Sequence, residues 1–328
     1  MATGSLELER LTAPIERRET LVAVAWIAGA FALTLACPGV PFVLGPALFG
    51  VLHVAADYRY LMVRRRLPRG LFIGILASSA CLLTLRGLDA ALPAGLLFAR
   101  LEVAIGFGTV VAALAFGSRA RSALGRLAFV LPLVLVGIAA VAAPLTARLA
   151  FAHAHNVIGI ALFVVLFQAR GGRATLPFVG AFALALWFVL NAPAPLTPLA
   201  PAWGERMLAD TSAALPLAWR AEIGPGLGLS YVFLQLVHYG VWLAFVPLAD
   251  RTRARAAEPR THELVRDLGP LVLGGTALLA LVVVAASLLD AHRTRQFYLS
   301  IATFHGYLEL AAGGYLLARG SADRAARV

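Results

Sequence analysis

Apolar residues run along this chain in blocks of about twenty, separated by short stretches that carry arginine, glycine and proline. Each block is close to the ~20 residues that a helix needs to cross a ~30 Å hydrocarbon layer. The pattern predicts an all-α fold class, a polytopic membrane bundle of about ten helices. They fall at roughly 20–37, 41–63, 70–88, 97–117, 126–144, 148–168, 174–191, 226–248, 268–289 and 296–318. The organisation expected from this is a cytoplasmic segment at 1–19, a single membrane domain at 20–318 and a cytoplasmic tail at 319–328. The first block is followed by Leu35-Ala36-Cys37 and preceded by Arg17-Arg18, which also suits a signal peptide. A retained helix is preferred, because the polar lead of 19 residues is long and Pro38 follows the cysteine directly.

Composition agrees with the blocks. Of 328 residues, 60% are hydrophobic and 14% charged, with a mean hydropathy of +0.83. Soluble globular chains run near 45–50% apolar and 25% charged, so lipid is the solvent for much of this surface. Soluble-enzyme, disordered, collagenous and disulfide-rich classes drop out. The net charge of +11 would suggest nucleic acid in a soluble chain, but here it reports on topology, and no nucleic-acid partner is expected. All 28 basic residues are arginine, which reflects GC-rich coding and removes lysine Schiff-base chemistry. Cys37 and Cys81 form no CxxC pattern, which argues against a thiolate metal cage.

Arginine sets the orientation. With the N-terminus inside, 21 arginines fall on cytoplasmic stretches and 7 on outer ones, namely Arg86, Arg100, Arg148, Arg206, Arg220, Arg293 and Arg295. Both termini are therefore expected inside, in what is expected to be a bacterial inner membrane. The long outer stretch 192–225 opens with Pro193, Pro195, Pro198 and Pro201 and carries Trp203 and Trp219. It reads equally well as an interfacial helix or as an ordinary loop. Glu102 and Arg100, at the outer end of the fourth span, read as interfacial.

Polar residues inside spans are costly and mark function by default. Of seven histidines, His262 and His292 fall in predicted loops, whereas His53, His153, His155, His238 and His305 fall on spans 2, 6, 8 and 10. His53 precedes Arg64 by 11 residues, His155 precedes Arg170 by 15, His238 precedes Arg251 by 13 and His305 precedes Arg319 by 14. At 1.5 Å per residue, these four lie roughly 16–22 Å from the inner boundary, in one layer. His53 and Asp57, and likewise His305 and Glu309, are four apart and share a helix face. Gln235, His238 and Trp242 line another face, with Tyr239 beside them. His153 and His155 stand about 200° apart on their helix, so both do not face one centre. Asn156 adjoins His155. Asp57 also reads as a surface charge beside Arg59.

Four imidazoles and two carboxylates make an N/O ligand set that suits Fe, Mn or Zn. Inward His and Glu from facing helices are how helical bundles build carboxylate-metal sites. The expected ligands are His53, Asp57, His155, His238, His305 and Glu309, with His153 a further candidate. The carboxylates also suit the role of orienting the imidazoles. Gln235, Tyr239, Asn156 and Tyr307 are expected to orient substrate or oxygen. Leu52-His53-Val-Ala-Ala-Asp57 and Phe304-His305-Gly-Tyr-Leu-Glu309 resemble the two His–acid motifs of the bacterial Brp/Blh-like membrane β-carotene cleaving dioxygenases. The resemblance implies iron held by membrane histidines and an isoprenoid substrate. That family's His-x3-His helix has no counterpart here, and His153-Ala-His155 or His238 would replace it. His153-Ala-His155-Asn-Val-Ile-Gly159 also resembles the His-x-His helix of haem–copper oxidases and the His-Ala-His of nitric-oxide-response membrane haem proteins. That likeness implies haem b and an electron-transfer or gas-sensing role.

The expected function is an intramembrane non-haem iron oxygenase or hydroxylase acting on a lipid or isoprenoid. The alternatives are the haem protein, a proton-coupled transporter and a zinc hydrolase of membrane lipids. No GxGxxG, Walker or flavin motif is present, so reductant would come from a separate electron donor. The topology is checked by alkaline phosphatase fusions. A fusion after Arg66 is expected to be inactive and one within 192–225 active, and the opposite pattern would reverse the orientation.

Overall fold

The computed structural model describes residues 3–92, 95–119, 121–168, 175–192, 201–212, 217–220, 222–254 and 260–325. Among these residues the chain is helical throughout, with no strand. Eight stretches are long and apolar enough to cross a bilayer: Glu19–Ala36, Gly39–Val63, Arg69–Ala91, Leu97–Gly117, Ala123–Ala142, Pro144–Leu166, Gly224–Asp250 and Glu263–Arg319. The chain is built as an integral membrane protein. Large apolar side chains such as Leu271, Leu288 and Leu289 stand almost fully exposed, which suits lipid and not water.

The boundaries differ from the hydropathy reading in three places. Leu176–Leu190, expected as a full span, is a shorter helix. The last stretch holds two of the expected spans in 57 residues and leaves helical geometry at Gly269 (φ 75°) and Asp290 (φ −152°). His292, expected in a loop, lies in the helical segment after that second break. The first helix starts at Thr3, and its membrane-spanning part is Glu19–Ala36, where hydropathy places it. In the stretch 192–225, Pro201–Ser212 and Leu217–Arg220 are helical. Pro193, Pro195 and Pro198 lie outside the described residues, as do Arg170, Arg173, Arg255 and Arg327.

Two compact units make up the chain: Met1–His53 with Gly159–His262, and Val54–Ile158 with Glu263–Val328. The first is organised around helix Gly224–Asp250. That helix is apolar apart from a few polar side chains such as Ser230, Gln235 and His238, and every residue from Leu229 to Trp242 is buried. Helices Glu19–Ala36, Thr175–Leu190 and Pro201–Ser212 and the start of Gly39–Val63 pack around it. Pro201–Ser212 sets Met207 and Thr211 against Gly228 and Trp203 against Gly39, so it covers the N-terminal ends of two long helices. Trp26 donates its indole N–H to the Leu236 carbonyl at 2.9 Å and occupies the space over Gly240.

The second unit is organised around Leu97–Gly117. Ala99, Val103, Gly106, Val110, Ala113 and Gly117 are buried at alternating spacings of four and three, the seam of a left-handed helix pair. These are small residues, as membrane helix interfaces require, and Gly117 lies against Tyr315 and Ala318 of helix Phe304–Ala325. Arg69–Ala91 and Ala123–Ala142 flank the seam. At one end Arg59 and Arg64 both bind Glu263 and Asp267, with four N···O separations between 2.6 and 3.4 Å. Arg59 therefore turns to Asp267 and Glu263, on the opposite side of its helix from Asp57.

The two kinds of glycine separate in a stability measurement. Gly240→Ala places a Cβ into the Trp26 indole and is expected to destabilise by ~1–3 kcal/mol. Gly74, with open space around it, is expected to accept alanine with no loss and a gain of up to ~1 kcal/mol. Thermal unfolding in detergent compares the two.

Candidate metal centre

Within the second unit, helix Phe304–Ala325 carries His305 and Glu309 one turn apart, and both are buried. Gly306 between them has no side chain, so the Phe151 ring comes within 2.8 Å of where a Cβ would stand and the His155 Cβ within 3.4 Å. That close approach brings the two histidines together, with their Nε2 atoms 3.0 Å apart and their rings at 84°. Asp57 comes from the segment of Gly39–Val63 that belongs to this unit. Asp57, His305 and Glu309 each offer a ligand atom, and these atoms lie within 4.8 Å of one another. Asp57 is 0% exposed, so it is not the surface charge that its position beside Arg59 suggested. Among the described residues no N–H donor reaches either of its oxygens, and the group it faces is the Glu309 carboxyl.

Backbone carbonyls assign the histidine tautomers. A carbonyl oxygen only accepts, so a ring nitrogen bonded to it carries the proton and leaves the other with a lone pair. His305 Nδ1 donates to Ala302 O in this way, which leaves Nε2 as a ligand atom pointed at His155. His153 Nδ1 donates to Leu149 O at 3.1 Å, and the ring is half-buried on another side of the helix from His155.

In the first unit, the other two histidines of the expected layer lie together. The His53 and His238 rings are 5.2 Å apart, and Tyr239 lies 4.8 Å from His53. His53 Nδ1 donates to Phe49 O at 3.2 Å, so its Nε2 also keeps a lone pair. Gln235 Nε2 donates to the Tyr239 hydroxyl at 3.0 Å. The structure thus groups His53, His238, Tyr239 and Gln235 in one unit, and Asp57, His155, His305 and Glu309 in the other. Two expected contributors are engaged elsewhere. Asn156 donates to Ala152 O of its own helix at 3.4 Å. Tyr307 stacks on Phe151, centroids 4.3 Å apart, and covers Gly106.

One constellation was missed. Glu102, read as interfacial, is 1% exposed, and its Oε2 binds Arg86 Nε at 2.7 Å and Arg148 Nη2 at 2.5 Å. Arg148 Nη1 reaches Asp89 at 2.8 Å, and Arg86 Nη2 donates to Thr303 Oγ1 at 3.2 Å. Two of the seven arginines counted as outer loop charges are therefore inward-facing ion-pair partners. The available signal was an acid placed a turn inside a span with arginines near the ends of two others. Arg100 is exposed, as expected.

The chain matches no protein-family model, no curated protein and no solved structure. Glu102→Leu leaves the half-buried Arg86 and Arg148 guanidinium groups without the carboxylate they share, Arg148 keeping only Asp89, and is expected to destabilise by ~3–5 kcal/mol. Unfolding of the purified variant in detergent measures it, and an unchanged Tm would show that the network contributes nothing to stability.

Proposed function

We propose that this chain is an intramembrane metal-dependent enzyme, a non-haem iron oxygenase or hydroxylase acting on a lipophilic lipid or isoprenoid substrate. The observation that carries the reading is the juxtaposition of the Asp57 and Glu309 carboxylates with His305, all buried within membrane-spanning helices. Two carboxylates that close in apolar surroundings do not both stay ionised without a cation or a shared proton. His305 presents a lone pair to the same place, which favours a cation. The 3.0 Å between His155 and His305 Nε2 is about the chord between neighbouring ligands on one ion, ~3.0 Å for two ~2.1 Å bonds at a right angle.

Two imidazoles and two carboxylates suit iron, manganese or zinc, and two nitrogens with carboxylate oxygen are the donors of non-haem iron oxygenases. Iron bound there would supply oxygen activation in a layer that oxygen and lipophilic molecules enter from the bilayer. The protein's own part is to hold the ligand atoms, with Ala302 O fixing the His305 ring and the surrounding helices excluding water. His53 and His238, placed in the same layer by the sequence count, are further candidate ligands. Gln235 and Tyr239 are the candidates for orienting substrate.

Two alternatives meet the same geometry differently. Haem held between His155 and His305 would need more room than the 3.0 Å between their Nε2 atoms leaves. A proton shared by Asp57 and Glu309 is what a proton-coupled transporter would use. Elemental analysis of protein extracted gently and without chelator separates them. Near-stoichiometric iron is expected, lost in His305→Ala and Glu309→Ala and retained in His153→Ala. Protein free of transition metal would end the reading, and a Soret band would replace it with the haem one. The metal content of His53→Ala and His238→Ala decides whether that pair adds ligands.

A further inference from the structure

Helix Gly224–Asp250 is apolar for most of its length, and Gln235 interrupts it while being only 4% exposed. Its Nε2 donates to the Tyr239 hydroxyl, but its Oε1 is buried and meets no donor among the described residues. Gly45 lies directly against the amide: a Cβ there would stand 3.0 Å from Gln235 Nε2 and 3.3 Å from the Tyr239 ring. The chain thus carries the smallest residue where a side chain would press against the amide. Tyr239 continues the surface to His53 at 4.8 Å and Phe49 at 5.8 Å between ring centroids.

An amide oxygen without a donor is unfavourable in apolar surroundings, and a leucine or methionine would fill the same volume without that penalty. Turned over, the amide accepts from the Tyr239 O–H through Oε1 and directs its N–H2 to the place that Oε1 held. A hydroxyl is the smallest group that answers either orientation, because it both donates and accepts.

We propose that Gln235, supported by Tyr239 and admitted by Gly45, recognises the hydroxyl end of an amphiphilic substrate, a long-chain or isoprenoid alcohol. This rests on the reading above that the substrate is lipophilic, and adds to it a polar handle that a pure hydrocarbon lacks. Oε1 accepts from the alcohol O–H, and Phe49 offers an apolar wall to the first carbons of the chain. A buried water would offer the same hydroxyl chemistry, and the experiment separates the two sources.

Full-length protein in phosphatidylcholine nanodiscs, whose lipid carries no hydroxyl, is photolabelled with diazirine-bearing hexadecanol and, in parallel, diazirine-bearing hexadecane. The expected result is labelling of 39–53 and 224–250 by the alcohol about tenfold above the hydrocarbon, the discrimination expected of one buried hydrogen bond. Unlabelled hexadecanol should compete and hexadecane should not. Gln235→Leu, which keeps the volume and removes the polar group, is expected to bring alcohol labelling down to the hydrocarbon level. Gly45→Ala should do the same while keeping the glutamine. Equal labelling by the two probes, or alcohol labelling unchanged in Gln235→Leu, overturns the proposal and leaves water alone at Oε1. Iron is measured on the same samples. Wild type that holds iron without preferring the alcohol fails this inference alone, and wild type that prefers the alcohol without iron fails the oxygenase reading alone.

Discussion

A charge in hydrocarbon has to be cancelled by something within a few ångströms, and much of the second unit is arranged around that requirement. Glu102 is met by Arg86 and Arg148 from two other helices, and Glu263 and Asp267 are met by Arg59 and Arg64. In each case the acid and its partners lie on separate segments, so each ion pair also joins helices. Asp57 and Glu309 follow a different pattern, because the carboxylate of one faces the carboxylate of the other. Arginine satisfies the first two groups permanently. In the function proposed above, an exchangeable cation would lie at the third pair, which a working site needs and a structural bridge does not.

Close approach of backbones is what permits this arrangement. Gly306 lets Phe151 and His155 come down on the helix that carries His305, and the small-residue seam of Leu97–Gly117 seats the same helix from the other side. Tyr307, stacked on Phe151 and covering Gly106, fills the side of the helix that His305 and Glu309 leave. These two side chains therefore sit on a helix held on two sides by close contacts. Aromatic rings and small residues, and not loops, set their positions.

Much of this was legible in the chain, and the limits have physical causes. Span positions follow from local hydropathy, and the helices at 39–63, 97–117 and 224–250 fall within a few residues of the reading. The i,i+4 pairing of His305 with Glu309 is a local relation, and so is the 200° separation that turns His153 away from His155. Glu102 escaped because its partners are 16 and 46 residues distant, and nothing local tells an acid near a span end from one at the headgroup level. Asp57 looked superficial because Arg59 is two residues away, yet two residues put side chains on opposite sides of a helix. The facing of Asp57 and Glu309 depends on packing between distant segments, which no spacing within either segment encodes.

Among the described residues, four turns of the long helices are π-helical, at Pro46–Gly50, Tyr58–Val63, Phe163–Gln168 and Val241–Phe245. Such a turn takes in one more residue than an α-helical turn, so everything beyond it is rotated by about 100° relative to an unbroken helix. The face that Gln235 and His238 share is in register only as far as Gly240, and past Phe245 the helix presents a different set of residues in the same direction. A lineage that lost one residue from Val241–Phe245 would keep the span, its length and its hydropathy. It would change which side chains look inward, so the phase of the helix, and not its composition, is the quantity under constraint there.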